Sequence, residues 1–299
     1  DFYISQSGSG SQDGSSCANA KLVSFFNAVS NWGTGAGQIT PGKTVRLCGT
    51  ITSGLTFQGN GSSGNYITLD GTGATMLAGI LESGRSWWKV QNVTWSDSFN
   101  GVPMEINGGS DGVFTNNSAG NIQGRGGVWL RQGSALPHDI LISNNRLITT
   151  AANTSAQIDI IVTEGSYNVT VEGNYLEMRV GTGGGHNDII QTFESGGTSV
   201  GNPHDWTIRF NRFVMNSIEN NNRSWTMLAD LSGVINIYGN VFLGIQGASS
   251  ANGLNAHGNR AGVIFNIFGN TFVAKGSASN NTLKLDDAGT ANIRNNLFH

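Results

Sequence analysis

A glycine-bounded stretch, GGGHNDIIQTFESGG (183–197), holds the residues of this sequence best suited to acid–base chemistry. Between the glycines, five polar side chains fall within nine residues, interleaved with isoleucine, threonine and phenylalanine. They are His186, Asn187, Asp188, Gln191 and Glu194. Carboxylates and an imidazole act as general acids and bases when the backbone brings them to one face. Because glycine also lets a ligand approach the backbone closely, this stretch is the first candidate for an active site.

The elements that position this stretch follow from a repeat. In eight places a short alternating apolar run ends in Asn and is usually followed, within one or two residues, by an aromatic or aliphatic residue, as in VEGNYLE and IYGNVFL. Eight repeats spaced by 25 to 37 residues indicate a solenoid, and the period of two within each run indicates strands. The repeated residues are Asn92, Asn117, Asn145, Asn174, Asn211, Asn240, Asn270 and Asn296. We therefore predict an all-β chain folded as a right-handed parallel β-helix. Its turn asparagines, which tolerate left-handed backbone, should form a column of stacked amides.

The N-terminal residues predict a cap for the first rung. DFYISQSG is typical of a strand, and CANAKLVSFFNAVSNW carries apolar residues at helical spacing, namely Leu22, Phe25, Phe26 and Val29. A helix across the open end of the stack would cover its apolar interior, which solenoids require. The prediction is one domain, 1–299, with a strand and helix cap over 1–43 and rungs over 44–299.

Composition narrows the classes of function. The formal net charge is −3 with 12% charged residues, so there is no basic footprint for nucleic acid and no cluster suited to an anionic membrane. No apolar run is long enough to span a bilayer. The sequence begins at Asp1 without Met or a hydrophobic leader and has one cysteine pair, Cys17 and Cys48. These features predict a mature secreted, extracellular protein with a disulfide, two buried free thiols being the alternative.

This arrangement resembles the pectin-lyase-like superfamily of secreted β-helix proteins. The resemblance extends over essentially all 299 residues and is one of architecture. It implies a polysaccharide or oligosaccharide as the ligand, because most such proteins cleave or bind glycans. It does not specify the reaction.

The first strand of each rung is predicted to carry the functional face. If the Asn column ends the second strand, the preceding segments, such as GVWLRQG and QIDIIVTEG, are the first strands. Alternation then places Ile158 and Ile160 inward and Asp159 outward. The outward residues that we expect to bind substrate are Glu105, Trp129, Arg131, Gln191, Trp225, His257 and Lys284. Carboxylates, bases and two tryptophans in one row suit sugar rings and their hydroxyls.

Paired carboxylates on this face predict a glycoside hydrolase. Such enzymes hold two carboxyl groups about 5–5.5 Å apart for retention or about 6.5–9.5 Å apart for inversion. Three aspartates fall on consecutive rungs, although alternation leaves the direction of Asp230 open. The predicted catalytic set is Asp188, Asp159, Asp230, Glu194 and His186. Alternatively, Glu194 stacks on Glu164 of the preceding rung and binds a cation.

A second resemblance concerns four short motifs. HND (186–188), LAD (228–230), NAHGN (255–259) and LKL (283–285) are similar to the Asn-Thr-Asp, Asp-Asp, Gly-His-Gly and Arg-Ile-Lys motifs of polygalacturonase-type hydrolases. The resemblance implies that Asp188 and Asp230 are the acid and base, that His257 supports them and that Lys284 contacts a substrate carboxylate. The sequence departs from this pattern, since it has no Asp-Asp pair, Ala256 replaces a Gly and Leu283 replaces the Arg.

The main alternative is β-elimination by a polysaccharide lyase, as in many proteins of this fold. Elimination needs a base beside a uronate carboxylate and a cation that neutralises it, so Ca²⁺ is compatible with this reaction whereas hydrolysis requires no cofactor. The candidate bases are Arg131, Lys284 and His257, and the candidate Ca²⁺ ligands are Glu105, Asp159 and Asp188. Hydrolysis is favoured because carboxylates outnumber basic groups on the predicted face.

Non-catalytic glycan binding or adhesion is the third alternative, and it would use Trp129 and Trp225 without perturbed carboxylates. Two further segments, LPHD (136–139) and NPHD (202–205), contain a motif that is catalytic in alginate epimerases of this fold. Their duplication just before second strands predicts turns instead.

Overall fold

The computed structural model describes residues 1–123, 125–149, 158–179, 187–194, 201–216, 223–244, 253–273, 282–286 and 289–299. The chain is a right-handed parallel β-helix, as predicted, with three sheets whose strands pair in parallel with those of neighbouring rungs. From β5 (Leu55–Thr56) onward, each rung contributes one strand to each sheet. We name the sheets first, second and third in the order in which the chain passes through them within a predicted rung.

The three sheets contain nearly all of the regular structure. The first sheet consists of β5 (Leu55–Thr56), β8 (Ile80–Ser83), β11 (Met104–Asn107), β14 (Gly126–Arg131), β17 (Asp159–Glu164), β20 (Asn187–Phe193), β23 (Arg223–Ala229), β26 (Leu254–His257) and β29 (Leu283–Leu285). The second sheet consists of β1 (Phe2–Ser5), β2 (Lys21–Leu22), β3 (Thr44–Cys48), β6 (Ile67–Asp70), β9 (Trp88–Gln91), β12 (Ser110–Thr115), β15 (His138–Ser143), β18 (Tyr167–Glu172), β21 (His204–Arg209), β24 (Val234–Tyr238), β27 (Ile264–Phe268) and β30 (Thr290–Arg294). The third sheet consists of β4 (Thr50–Ile51), β7 (Thr75–Met76), β10 (Thr94–Trp95), β13 (Ser118–Ile122), β16 (Arg146–Thr149), β19 (Tyr175–Met178), β22 (Arg212–Met215), β25 (Val241–Leu243), β28 (Thr271–Val273) and β31 (Leu297–Phe298).

Alternating side chains form a continuous core between the sheets. In the third sheet, Phe213, Phe242 and Phe272 stack from rung to rung with ring centroids 4.6 and 4.7 Å apart. Because strands are also spaced by about 4.8 Å, identical side chains in register stack without distorting the backbone. The core is therefore a set of columns, and each rung buries its apolar face against its neighbours.

The asparagine column is confirmed for seven of the eight predicted residues, Asn117 to Asn296. Each inner side chain donates from Nδ2 to Oδ1 of the next Asn at 2.9–3.1 Å. That Oδ1 also accepts the backbone N–H of the preceding Asn at 2.9 or 3.0 Å. The predicted place of Asn92 is wrong by one residue, because Val93 occupies the column position and Asn92 precedes it. Left-handed backbone likewise belongs to the residue before each column Asn, such as Asn144 at φ +54°.

The N-terminal segment differs from the predicted helix. Only Ser24–Asn27 (α1) is α-helical, between 3₁₀ turns at Cys17–Asn19 and Val29–Asn31. Phe26 is buried against Trp32 and Phe57, whereas Leu22 and Val29 are exposed. The helical spacing was misleading because β2 ends at Leu22 and α1, which begins at Ser24, ends at Asn27 before Val29 is reached. The disulfide between Cys17 and Cys48 is confirmed and joins this segment to β3.

Candidate functional site

The outer face of the first sheet carries a compact group of charged and aromatic side chains. The guanidinium carbon of Arg125 lies 4.6 Å from the ring centre of Trp129, and that of Arg131 lies 4.4 Å from it. Arg131 Nη1 donates to Glu105 Oε1 at 2.9 Å, and Arg125 Nη2 lies 3.2 Å from Glu164 Oε1. We call these five residues the Trp129 platform. Such cation–π contacts hold both guanidinium planes in place.

Strand register explains why these side chains meet. Glu105 pairs with Trp129 across β11 and β14, and Asn107 pairs with Arg131. Because residues two apart in a strand share a face, Trp129 and Arg131 point to the same side as Glu105. Arg131 also reaches toward the next rung, where its Nε is 3.9 Å from Glu164 Oε2. One guanidinium thus connects carboxylates of rungs on either side.

Trp129 is not a bare stacking surface for a sugar. Two guanidinium groups lie over the indole, and Arg125 also approaches the Phe193 ring at 5.9 Å. The side chains of Arg125 and Arg131 are 44% and 40% exposed. The groups presented to solvent are therefore guanidinium N–H donors in a fixed orientation, which suits carboxylates and paired hydroxyls.

A shallow depression continues from the platform toward the N-terminal rungs. It has a volume of about 200 Å³ and its lining includes Thr56, Leu81 and Glu105. These three side chains share one outward column with Trp129. An extended ligand lying along the axis of the β-helix would contact this depression and the platform together.

Asp159 and Asp188 lie side by side at the start of β17 and β20. The backbone N–H of Asp188 donates to Asp159 Oδ1 at 2.9 Å, and both side chains are buried. Their column begins at Gly126 of β14, which pairs with Asp159. The backbone N–H of Asp159 also donates to the backbone carbonyl of Arg125 at 3.3 Å, so the start of β17 lies beside this platform residue.

Burial of these aspartates corrects the predicted alternation. Asp159 was expected on the outer face, with Ile158 and Ile160 inward. Both isoleucines are buried as predicted, but Asp159 is buried as well, and Ile161, which pairs with inward Val128, also lies in the core. The chain bends into the first sheet at this point, so two consecutive residues face the interior and the simple period of two is interrupted.

Asp230 and Glu194 lie together at the end of the first-sheet strands. Glu194 donates its backbone N–H to Asp230 Oδ2 at 3.1 Å, and its carboxylate forms an ion pair with Arg260. Asp230 has left-handed backbone, φ +59°, and is partly exposed. The predicted stacking of Glu194 on Glu164 is wrong, because Phe193 is the residue paired with Glu164.

The remaining predicted residues are dispersed. His186 lies outside the described residues. Gln191 is nearly buried, with its Nε2 3.8 Å from Met227 Sδ. The predicted outward direction of Trp225 is wrong, since its ring is fully buried against Phe242 and Phe272.

His257 and Lys284 are on the predicted outer face but far from the platform. His257 lies four strands beyond Arg131, and Lys284, which pairs with Asp286 at 2.6 Å, lies five strands beyond Trp129. At about 4.8 Å per strand, these separations are roughly 19 and 24 Å. One active site cannot include them and the platform, although one polymer could contact both.

The predicted Ca²⁺ cluster is not formed. Within the described ranges, no group of three or more His, Cys, Asp or Glu side chains is arranged to hold a metal ion. The three predicted ligands, Glu105, Asp159 and Asp188, are all described and form no such group. No helix in the described part of the chain is long and apolar enough to cross a membrane.

Sequence reasoning missed Arg125 and the contribution of Glu164 to the platform. Both were visible as charged residues near a predicted first strand, and the spacing of Arg125, Trp129 and Arg131 places their side chains within reach of one another. What the sequence did not reveal was that Arg125 turns back over the indole.

The two PHD segments form a second regular feature, at the start of second-sheet strands. His138, Tyr167 and His204 stack on consecutive rungs with ring centroids 4.6 and 4.8 Å apart. Each histidine lies within hydrogen-bond distance of the next residue, Asp139 or Asp205, and both aspartates have left-handed backbone. The prediction of turns is wrong for these residues, which are the first two of β15 and β21; only the residues before them, 136–137 and 202–203, precede the strands.

Glu82 is an unusual interior carboxyl group. It is fully buried on β8, where it pairs with inward Ile106, and it accepts the backbone N–H of Arg85. Burial raises the pKa of Glu82 to about 8. The group is therefore neutral at pH 6 and lies inside the helix, not on the platform.

Comparison with known proteins gives the same architecture. No family model and no curated protein matches the chain. An alginate lyase from Paenibacillus sp. str. FPU-7 aligns with a TM-score of 0.51 and 13% identity over 98% of this chain and 99% of the lyase. It is a likeness of fold. Pectate lyase Pel9A aligns with a TM-score of 0.49 and 13% identity over 93% of this chain and 78% of its own. A lacto-N-biosidase from Eubacterium ramulus aligns with a TM-score of 0.44 and 11% identity over 100% and 67%.

Proposed function

We propose that the protein is a secreted enzyme that degrades an acidic polysaccharide bound along the outer face of the first sheet. The observation that supports this proposal most directly is the Trp129 platform. Its two ordered guanidinium groups present N–H donors to solvent, and such groups bind carboxylates with high geometric specificity. The disulfide supports an extracellular location, because disulfides persist in oxidising compartments.

The reaction that we propose is glycoside hydrolysis by paired carboxylates. Four carboxyl groups lie on or beside the platform, namely Glu105, Glu164, Asp159 and Asp188. Glu105 and Glu164 are held in place by arginines, and one of them would serve as the nucleophile or base. Asp159 and Asp188 lie on adjacent rungs, and one of them would serve as the general acid of the pair.

β-Elimination is the second candidate, and the same guanidinium pair is the observation that favours it. A lyase must stabilise a uronate carboxylate while the adjacent proton is removed, and Arg125 and Arg131 could donate hydrogen bonds to that carboxylate. Of the bases considered from the sequence, only Arg131 is close to the platform, since His257 and Lys284 lie four and five strands away. An arginine offers no acceptor for the abstracted proton, which weighs against Arg131 as the base.

Product chemistry distinguishes these proposals. Polygalacturonate, alginate and a neutral glucan are incubated with the protein, with and without Ca²⁺, and reducing ends and ultraviolet absorbance are followed together. Reducing ends without absorbance, lost on Asp188→Asn, support hydrolysis. Absorbance from an unsaturated sugar supports elimination. Binding without either product, lost on Trp129→Ala, would replace both enzymatic proposals with a glycan-binding or adhesion function.

A further inference from the structure

We propose that the protein has a second binding surface for acidic polysaccharide, at the corner between the second and third sheets. The corner patch consists of Phe210, Arg212, Tyr238, Phe268 and Arg294. It lies on a different face of the β-helix from the Trp129 platform, and it does not depend on which reaction the platform supports.

The backbone of Phe210 is the first observation. Phe210 has φ +56°, a conformation that bulky residues rarely adopt, and its side chain is 60% exposed. The equivalent position in the other rungs, immediately before the column position, always holds Asn or Gly: Asn92, Asn116, Asn144, Gly173, Gly239, Gly269 and Asn295. An aromatic residue that gains little burial from a strained conformation is the kind of outlier that points to a function.

The neighbouring rung provides space for this ring. A Cβ added to Gly239 would lie only 2.6 Å from Phe210 Cδ1, so the ring lies directly over that glycine. Tyr238 meets Phe210 edge to face at 5.5 Å and stacks on Phe268 at 4.8 Å. Three aromatic rings therefore extend over three consecutive rungs on the outside of the molecule.

Polar groups beside the rings repeat with the same period. Asn292 Nδ2 donates to Asn266 Oδ1, and Asn266 Nδ2 donates to Asn236 Oδ1, both at 2.9 Å. This external row of amides lies in a depression of about 680 Å³ that also includes Phe268 and Arg294. A polymer along the helix axis would meet both a ring and an amide on the rungs of β24 and β27, about 4.8 Å apart, with Phe210 on the rung before them and Asn292 on the rung after.

The charge of the patch favours an anionic polymer. Arg212 and Arg294 are exposed, and neither has a carboxylate partner among the described residues. Arg212 instead lies over Tyr175 at 5.8 Å, and Arg294 lies over Phe268 at 5.1 Å. Two unpaired cations over several rungs suit a polyuronate. Nucleic acid carries about one charge per 1.7 Å and is bound through many phosphate contacts, which a protein of net charge −3 does not offer here.

Affinity electrophoresis tests this surface in the Asp188→Asn background, which prevents degradation of the gel polymer. Gels contain polygalacturonate, alginate or neutral dextran. We expect polyuronate to retard the protein and dextran not to. Phe210→Asn, which introduces the residue found at this position in other rungs, should weaken the apparent affinity by about tenfold, as loss of a binding hot spot does. The matched variant Phe210→Tyr keeps the ring and should retain affinity.

Arg212→Gln provides an independent variant that leaves the strained backbone untouched, with Arg212→Lys as its charge-preserving control. Unchanged retardation of both Phe210→Asn and Arg212→Gln would overturn the proposal. Retention by duplex DNA in preference to polyuronate would overturn it in favour of nucleic acid. Sedimentation velocity tests whether the patch instead binds a second copy of this chain. A dimer that is lost on Phe210→Asn, while retardation by the polymer is unchanged, would replace the polysaccharide with a second copy as the ligand of the patch. Failure to find any product from the platform would leave these results unaffected.

Discussion

The Trp129 platform and the corner patch use the same residue types in opposite ways. On the platform, both arginines are paired with glutamates and lie over an indole, so their positions are fixed and their net charge is neutralised. In the corner patch, Arg212 and Arg294 are unpaired among the described residues. Fixed, neutralised groups orient a substrate, whereas exposed, unpaired charges attract a polymer from a distance. We therefore expect the platform to orient the substrate for the reaction and the corner patch to bind the polymer and hold it on the protein.

The largest effect should come from Asp188→Asn. The amide has nearly the same shape as the carboxyl group and keeps the backbone contact to Asp159. If the platform region performs catalysis, turnover should fall by about 100-fold or more, the usual contribution of a general acid or base. Initial rates of product formation measure this loss, and thermal unfolding confirms that the variant is folded.

Asp97→Asn is the matched control, because Asp97 is an exposed carboxylate outside the first sheet. Its rate should equal that of the wild type. Rates of Asp188→Asn within threefold of the control would remove Asp188 from catalysis and would leave Glu105 and Glu164 as the carboxylates to test.

Because Glu82 is buried, we expect the stability of the protein to depend on pH. This effect must be separated from any pH dependence of activity at the platform or of binding at the corner patch. The folded pKa of Glu82, about 8, lies above the ordinary glutamate value of about 4.5, so the native state holds the proton more tightly than the unfolded chain. The contribution to stability is therefore complete below about pH 4.5 and is lost as the pH rises to 8. At about 1.4 kcal/mol per pKa unit, the loss amounts to several kcal/mol.

Urea unfolding of the wild type and of Glu82→Gln at pH 4.5, 6 and 8 measures this effect. Because the amide of Glu82→Gln does not titrate, this variant should lose most of the dependence of the free energy of unfolding on pH. If Glu82→Gln loses stability just as steeply as the pH rises, a group other than Glu82 titrates over this range. Unfolding through Glu82 would then not account for any loss of enzyme activity at high pH.

Arg131→Gln should have the next largest effect. The variant leaves Glu105 without its ion pair and removes one donor from the platform. We expect about a tenfold increase in KM for a polyuronate, since hydrogen bonds to charged groups contribute about 1.5–3 kcal/mol. Arg131→Lys should recover little, because an ammonium group lacks the planar fork that lies over the indole.

Salt sharpens the comparison between the two surfaces. The screening length falls from about 10 Å at 0.1 M salt to about 3 Å at 1 M. Binding that depends on Arg212 should weaken strongly over this range, whereas binding that depends on Arg131 should weaken less because its guanidinium is already paired. Equal salt dependence of Arg131→Gln and Arg212→Gln, measured with one polymer, would contradict the distinction.

The repeat made the fold predictable, because a period of two within strands and a fixed Asn position describe backbone geometry directly. The third-sheet stacks and the amide column follow from that register. The N-terminal cap was less predictable, since Leu22, Phe25 and Val29 have helical spacing, but only Phe25 lies in α1, while Leu22 ends a strand and Val29 begins a 3₁₀ turn. Local spacing specifies a helix only where the chain has room to continue one.

The site was less predictable than the fold for a related reason. Alternation correctly placed Trp129 and Arg131 outside but failed for Trp225 and Asp159, which lie where the chain bends between sheets. At a bend the side-chain direction depends on the turn and not on the strand period. The positive φ of Phe210 was likewise not predictable from the sequence, because phenylalanine rarely adopts that backbone conformation.

Of the variants that test the two surfaces, Phe210→Gly should change the free energy of unfolding least. Whether the variant gains or loses stability shows whether the Phe210 backbone is strained. The left-handed conformation costs an ordinary residue about 1–2 kcal/mol, which glycine avoids, although glycine loses about 0.5–1 kcal/mol through unfolded-state entropy. The variant should thus be up to about 1 kcal/mol more stable to urea than the wild type. Asn144→Gly, at the equivalent position, should change stability little because Asn tolerates this backbone. A destabilised Phe210→Gly would mean that contacts with Gly239 and Tyr238 outweigh the strain. The ring would then be structural, and the corner patch would lose the observation that sets it apart from the platform.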